Sequence, residues 1–95
     1  MTDSTEKNLW LDLLERWPKD MPQKGVIMTE LNESIPFVGF VYDDNLMVVQ
    51  RQTPDAIGAR QAIIPFRSIS YIKITAIVLP KAYTEFGFKG SLPKV

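Results

Sequence analysis

A chain of 95 residues with 45% hydrophobic and 23% charged residues is expected to form one globular domain, spanning residues 1–95, around a single modest core. It contains no cysteine and no histidine, which excludes disulfides, zinc bound by thiolate or imidazole, and catalysis that depends on either residue. No apolar run reaches the roughly 18 residues of a membrane span, and the acidic, polar N-terminus does not resemble a signal peptide. Together with the absence of cysteine, this predicts a cytoplasmic protein without membrane association; the net charge is zero.

An N-terminal α-helix is predicted over residues 4–17. Apolar side chains recur there at helical spacing, at Leu9, Trp10, Leu13, Leu14 and Trp17. Pro18 disfavours helical geometry in the residue before it, so the helix is expected to end at Trp17.

Five strands are predicted to follow between residues 25 and 79. They are assigned to residues 26–31, 35–42, 46–52, 59–64 and 69–79. The turn formers Asp43, Asp44 and Asn45 join the second strand to the third. A short C-terminal tail covers residues 80–95, with one helical turn over residues 81–86 that Gly87 ends. A helix followed by five short strands and tight turns is typical of a small, strongly bent β-barrel in the mainly β class.

Parts of the fourth and fifth predicted strands, residues 62–64 and 74–79, are nearly apolar on both faces. A sheet of this size has no second layer to cover both faces, and an exposed apolar edge strand invites aggregation. Pairing with another copy of the chain would satisfy both strands. The sequence therefore predicts a homo-oligomer, with six candidate interface residues: Ala62, Ile63, Ile64, Ile74, Ile77 and Val78.

The charges divide unevenly along the chain. Residues 1–55 carry ten carboxylates and five cations, whereas residues 56–95 carry six cations and one carboxylate. A basic half could attract the phosphates of a nucleic acid. The two halves could instead complement each other within the fold or between copies, or the charges could simply be solvated.

Two segments resemble the motifs of the Sm-like family. From Ile35 to Val49, an apolar strand reaches Gly39, passes an Asp-containing turn and enters an apolar strand at Asn45, as in the first Sm motif. Gly39 would let a strongly bent strand turn its corner without a Cβ. From Ile64 to Ile72, a strand is followed by Arg67 and an Ile-Ser pair, which is similar to the second motif of the bacterial Hfq-type members. The N-terminal helix before the strands matches the family too.

The resemblance implies a ring of roughly five to seven subunits, in which the fourth strand of one copy pairs with the fifth strand of the next. It also implies that single-stranded RNA binds near the pore. By position, Asn45 matches the residue that contacts a base, Arg67 matches the basic residue of the second motif, and Tyr42 is the candidate stacking aromatic. Phe66 is a further candidate contact, although it stands where the bacterial pattern has lysine.

No enzymatic function is predicted, because the sequence contains no general acid–base set, phosphate-binding glycine loop or nucleophile elbow. Accordingly, no cofactor and no small-molecule substrate are expected. The neighbours Asp43 and Asp44 would point to opposite faces of a strand, which favours a solvated turn over a metal site. Two functions remain: a ring-forming protein that binds single-stranded RNA, or an oligomeric protein-interaction module with the same fold and no nucleic-acid binding.

Overall fold

The computed structural model of the chain describes residues 2–93, with side chains from Leu9 onward. Two helices flank six short strands. The elements are α1 (Thr2–Glu15), β1 (Gly25–Thr29), β2 (Ser34–Phe37), β3 (Gly39–Tyr42), β4 (Leu46–Gln50), β5 (Gln61–Pro65), the 3-10 helix η1 (Phe66–Ser68), β6 (Ile69–Ile74) and α2 (Lys81–Phe86). The last two residues of the predicted tail, 94 and 95, lie outside the described residues.

The strands form two antiparallel sheets of three strands each. The strand order is β2-β1-β6 in one sheet and β3-β4-β5 in the other. The prediction of a mainly β domain is confirmed, but the strands described do not close into a five-stranded barrel. Within residues 2–93, β5 pairs only with β4 and β6 pairs only with β1, so each has one edge without a strand partner.

The sheets are joined where the second predicted strand, residues 35–42, divides into β2 and β3. Only Val38 separates the two strands, and its N–H donates to the carbonyl oxygen of Gln50 in β4 at 2.8 Å. The chain therefore passes from one sheet to the other within one residue. This division gives six strands instead of the predicted five.

Close packing requires a residue without a Cβ at Gly25, but not at Gly39, where the chain passes from β2 to β3. A Cβ added to Gly39 would have no neighbour within 4 Å, which corrects the expectation that the corner requires a residue without one. A Cβ at Gly25 would run into the carbonyl oxygen of Lys73 and the ring of Phe37. Gly25 thus allows β1 to lie close to β6 while Phe37 of β2 packs beside it.

Both sheets, α1 and η1 contribute to one core. The largest fully buried side chains are Phe37, Phe66, Ile27, Met47 and Val49. Leu14 brings α1 into the same cluster, and Trp10 and Trp17 pack against its margin. Burial of one large apolar side chain contributes about 1.5–3 kcal/mol, so these few residues dominate the stability of a domain this small.

Strand β6 contains a bulge that the sequence pattern does not reveal. Its ladder with β1 shifts register between Met28 and Thr29, which leaves Ser70 as an extra residue. The shift lets Ile69 and Ile72 both pack towards the core. The strand therefore has one inward apolar face and is not apolar on both faces as predicted.

Some strands end at other residues than predicted, because the neighbouring strand offers no further residue to pair with. Ile74 pairs with Gly25, the first residue of β1, so the chain beyond it has no strand to join, and β6 ends there instead of at Leu79. Similarly, β4 ends at Gln50 instead of residue 52. Strand β5 covers Gln61–Pro65 instead of residues 59–64.

The first helix ends at Glu15, two residues before the predicted end at Trp17 and three before Pro18. Trp17 leaves the helix and lies between two aromatic rings. Its centroid is 5.1 Å from that of Phe40 and 5.3 Å from that of Phe86, both in edge-to-face geometry.

The second helix occupies Lys81–Phe86, and Gly87 ends it with a left-handed φ of 108°, as the sequence predicts. Over residues 2–93, neither helix has the length and apolar content needed to cross a membrane.

Candidate nucleic-acid interface

The turn between β3 and β4 is held by one carboxylate. Oδ1 of Asp43 accepts hydrogen bonds from the backbone N–H groups of Asn45 and Leu46, both at 2.8 Å. The N–H of Asp43 donates to the carbonyl oxygen of Leu46 at 2.9 Å. The bond from Asn45, and to a smaller extent that from Leu46, holds the pKa of Asp43 below its ordinary value, because both bonds favour the ionised carboxylate. The turn thus has a fixed backbone on which Asn45 is exposed.

A second turn, η1, lies against the first. Pro65 enters it in extended geometry, and the N–H of Ile69 donates to the carbonyl oxygen of Phe66 as the chain leaves it. The N–H of Phe66 donates to the carbonyl oxygen of Asn45 at 3.1 Å. The two motif-like segments are distant in sequence, and this bond brings them side by side.

Three of the four candidate contact residues line one cavity, and two of them, Asn45 and Arg67, are exposed there. Asn45 and Arg67, both exposed, line a space of about 300 Å³ together with Leu46, Pro65 and Phe66. Tyr42 precedes the turn and is 39% exposed, with its ring centroid 6.3 Å from that of Phe40. It does not line this cavity.

Phe66 is not available as a nucleic-acid contact. Its side chain is completely buried in the core, which argues against Phe66 as one of the candidate contacts. The 3-10 turn explains the outcome, because it directs Phe66 inward and leaves the next residue, Arg67, exposed. The residue types agree with this arrangement, because phenylalanine is often buried and arginine is mostly exposed.

The charges around the paired turns are mixed. Asp43 and Asp44 belong to the β3–β4 turn, and Arg67 belongs to η1. Arg51 and Arg60 lie at the opposite end of the β4–β5 pair, where the N–H of Arg51 donates to the carbonyl oxygen of Arg60 at 2.9 Å. The two turns themselves thus contribute one cation and two carboxylates, which is unlike a site that attracts nucleic acid mainly by charge.

Arg67 also lines a larger groove on its other side, of about 540 Å³. Helix α1 contributes Trp10 and Asp12 to its walls, Arg16 follows the helix, β6 contributes Ser70, and the C-terminal segment contributes Phe88. Sequence reasoning did not identify this groove, because its walls come from both ends of the chain.

The candidate interface residues of β5 have unequal exposure. Ile63 is 68% exposed on the outer face of the strand. Ile64 is buried in the core of its own chain, and Ala62 is half-buried and packs against that core. Ile63 is thus the member of this group that another copy can cover.

The candidate interface residues in and after β6 also differ in their exposure to solvent. Ile74 is half-buried at the end of the strand, whereas Ile77 and Val78 lie beyond it, in a segment without helix or strand. Ile77 is fully exposed and Val78 half-buried. Tyr71, which the sequence did not single out, is 48% exposed on β6 itself.

Comparisons of the chain with protein-family models, with curated proteins and with solved structures find no match. Among the described residues, no three acidic side chains are grouped closely enough to hold a metal ion. The functional argument therefore rests on the geometry of the chain itself.

Proposed function

We propose that this chain is a non-catalytic, Sm-like subunit that joins other copies into a ring and holds single-stranded RNA at its paired turns. The observation that carries the proposal is the hydrogen bond from the Phe66 N–H to the Asn45 carbonyl oxygen, at 3.1 Å. It unites the two segments that resemble the Sm motifs, and it leaves Asn45 and Arg67 exposed at one cavity.

The strand order supports an Sm-like subunit. If β2 and β3 are counted as one strand bent at Val38, five strands follow α1, in the spatial order β6-β1-β2/β3-β4-β5. The fourth and fifth of these strands are β5 and β6, and each has one edge without a strand partner in the described chain. These are the strands that the family resemblance pairs between neighbouring copies.

Exposed apolar side chains support the same contact. Ile63 projects from β5 and Tyr71 from β6, both on the solvent side of their strands. An antiparallel contact between β5 of one copy and β6 of the next would satisfy both backbone edges and cover apolar surface, at about 25 cal/mol per Å². Because the two surfaces differ, such a contact is head-to-tail and can close a ring.

The exposed groups at the paired turns suit an unpaired base better than a duplex. The side-chain amide of Asn45 has both donors and an acceptor for the edge of a base. The guanidinium of Arg67 can contact a phosphate or stack on a base. With one cation nearby, the RNA affinity is expected to depend on these two contacts more than on general charge.

A second function, an oligomeric protein-interaction module that does not bind nucleic acid, is favoured by one specific observation. Asp43 and Asp44 lie in the turn whose Asn45 carbonyl oxygen is bonded to η1, and the aromatic ring of Phe66 is buried in the core. Both features weaken an RNA site without affecting the edges of β5 and β6. The two functions therefore share the ring and differ in the response to RNA.

Fluorescence anisotropy with short U-rich and A-rich RNAs distinguishes them. For the RNA-binding ring, we expect Arg67→Ala to weaken binding by about tenfold and to reduce the salt dependence by roughly one counterion. Arg60→Ala is the matched control, because Arg60 is exposed at the other end of β5. A ring that gives no signal with either RNA at micromolar protein and low salt would leave the protein-interaction module as the function.

A further inference from the structure

The C-terminal segment, residues 81–88, packs against Arg16 and Trp17, just after α1, and is called the C-terminal strap below. Phe86 is its anchor: the side chain is 3% exposed and meets Trp17 edge to face. Tyr83 stacks on Phe86 at a centroid distance of 6.0 Å and an interplanar angle of 18°. Phe88 adds a third ring, 5.8 Å from Phe86. Trp17 is thus covered by an aromatic cluster that the strap supplies.

One arginine of the chain holds the strap in place. The guanidinium of Arg16 donates to the carbonyl oxygen of Phe86 and lies 5.8 Å from the ring centroid of Phe88. It also forms an ion pair with Asp12 of α1, at 3.1 Å. Gly87 has a left-handed φ of 108°, which favours glycine, and a Cβ there would approach Nη1 of Arg16 to 2.9 Å. The bend of the strap and the position of Arg16 therefore fit each other.

The strap is attached to the domain at its margin. Phe86 does not belong to the core cluster that the two sheets share, and Trp17 packs against that cluster from outside. A helix of six residues is too short to be stable without its docking contacts. The segment between β6 and α2 forms no helix or strand, so it can change conformation without breaking a sheet.

We propose that the C-terminal strap detaches from Trp17 and re-attaches to it while the two sheets stay folded, and that Arg16 holds it in the attached position. When closed, it covers part of Trp17, which is half-buried, and its Phe88 forms one wall of the groove that Arg67 lines. When open, Trp17 is exposed and the groove loses that wall. The position of the strap therefore controls the shape of the surface next to Arg67. This inference does not depend on RNA binding or on ring formation.

Hydrogen exchange measured by mass spectrometry on the full chain tests the proposal. In the wild type, amides of residues 81–88 are expected to exchange faster than those of β1 and β4, because the strap opens below the free energy of global unfolding. Phe86→Ala should accelerate exchange in the strap by on the order of a hundredfold and leave β1 and β4 unchanged. Arg16→Ala should accelerate it by roughly tenfold, since one charge-assisted hydrogen bond and one cation–π contact are lost.

Acrylamide quenching of tryptophan fluorescence gives a second readout. In a Trp10→Phe background, Trp17 is the remaining tryptophan, and both strap variants should make it more accessible to the quencher. Leu92→Ala, an exposed position after the strap, is the matched control and should change neither measurement. Equal exchange protection of strap and sheets in the wild type would overturn the proposal. Equal acceleration of strap and sheets in Arg16→Ala would overturn it as well.

Discussion

Two short helices of this chain, η1 and α2, each dock through one buried phenylalanine, yet they are connected to the molecule in different ways. Phe66 of η1 is completely buried and Phe86 of α2 is 3% exposed, so burial alone does not distinguish them. Phe66 lies in the core cluster with residues of both sheets, whereas Phe86 lies on Trp17 at the margin of that cluster. The position of a buried side chain relative to the shared core decides how much of the fold depends on it.

The backbone makes the same distinction. Helix η1 directly joins β5 to β6, and its two ends are bonded to different turns. The N–H of Phe66 donates to Asn45 in the β3–β4 turn, and the carbonyl oxygen of Ser68 accepts from the N–H of Glu30 after β1, at 3.0 Å. Helix α2 has its cap at Gly87 and the bond from Arg16. We therefore expect η1 to fold with the sheets and α2 to open by itself.

Removing the buried ring of η1 is expected to have the largest effect. Phe66→Ala should lower the free energy of unfolding of the whole domain by about 3–5 kcal/mol, because it leaves a cavity between the two sheets. Urea denaturation followed by circular dichroism measures the change. Arg67→Ala, at the next position, should stay within about 0.5 kcal/mol of the wild type. A loss in Phe66→Ala no larger than that in Phe86→Ala would break the comparison between the two helices.

An intermediate effect is expected at the strand that leads into η1. Ile63→Lys places a charge on the exposed edge strand β5 and should weaken association between copies by at least about thirtyfold, as at an interface hot spot. Ile77→Lys, near α2, should leave association unchanged, because Ile77 lies beyond the last strand. Sedimentation velocity across a dilution series measures both. Weakening by Ile77→Lys alone would place the interface on the α2 side and contradict the assignment to β5.

Much of the order of elements is predictable from the sequence, because it depends on local signals. The helical spacing of apolar residues before Pro18, the turn at Asp43–Asn45 and the glycine after residues 81–86 each lead to an element that the structure contains. Each signal operates within a few residues of the feature it specifies. The same local reasoning explains why strand ends were misplaced, since the end of β6 depends on where β1 begins.

The features that the sequence could not specify depend on contacts between distant segments. The bulge at Ser70 exists because β1 and β6 must place apolar residues on the same core. The need for glycine at Gly25 arises from Lys73 and Phe37, which are remote in sequence. At the candidate site, Asn45 and Arg67 could be proposed from the motif resemblance, but the burial of Phe66 depends on the core beneath η1.

The smallest expected effect on stability comes from a substitution in the β3–β4 turn, to which η1 is hydrogen-bonded. The pKa of Asp43 is lowered by backbone hydrogen bonds, so the stabilisation by its carboxylate is present above the ordinary carboxyl pKa and is lost as the pH falls through the lowered value. Asp43→Asn keeps an oxygen acceptor and should reduce the dependence of the melting temperature on pH below about pH 4. Asp44→Asn, whose carboxylate accepts none of these bonds, is the control. An unchanged pH profile in Asp43→Asn would show that the turn does not depend on this charge.

The central claim is that the open edges of β5 and β6 are joined between copies of the chain. Native mass spectrometry of the wild-type protein at micromolar concentration, with and without a short single-stranded RNA, tests it most directly. We expect one closed assembly of roughly five to seven subunits, with each assembly gaining the mass of bound RNA. A stable monomer under these conditions would contradict both the pairing of the edges and the ring.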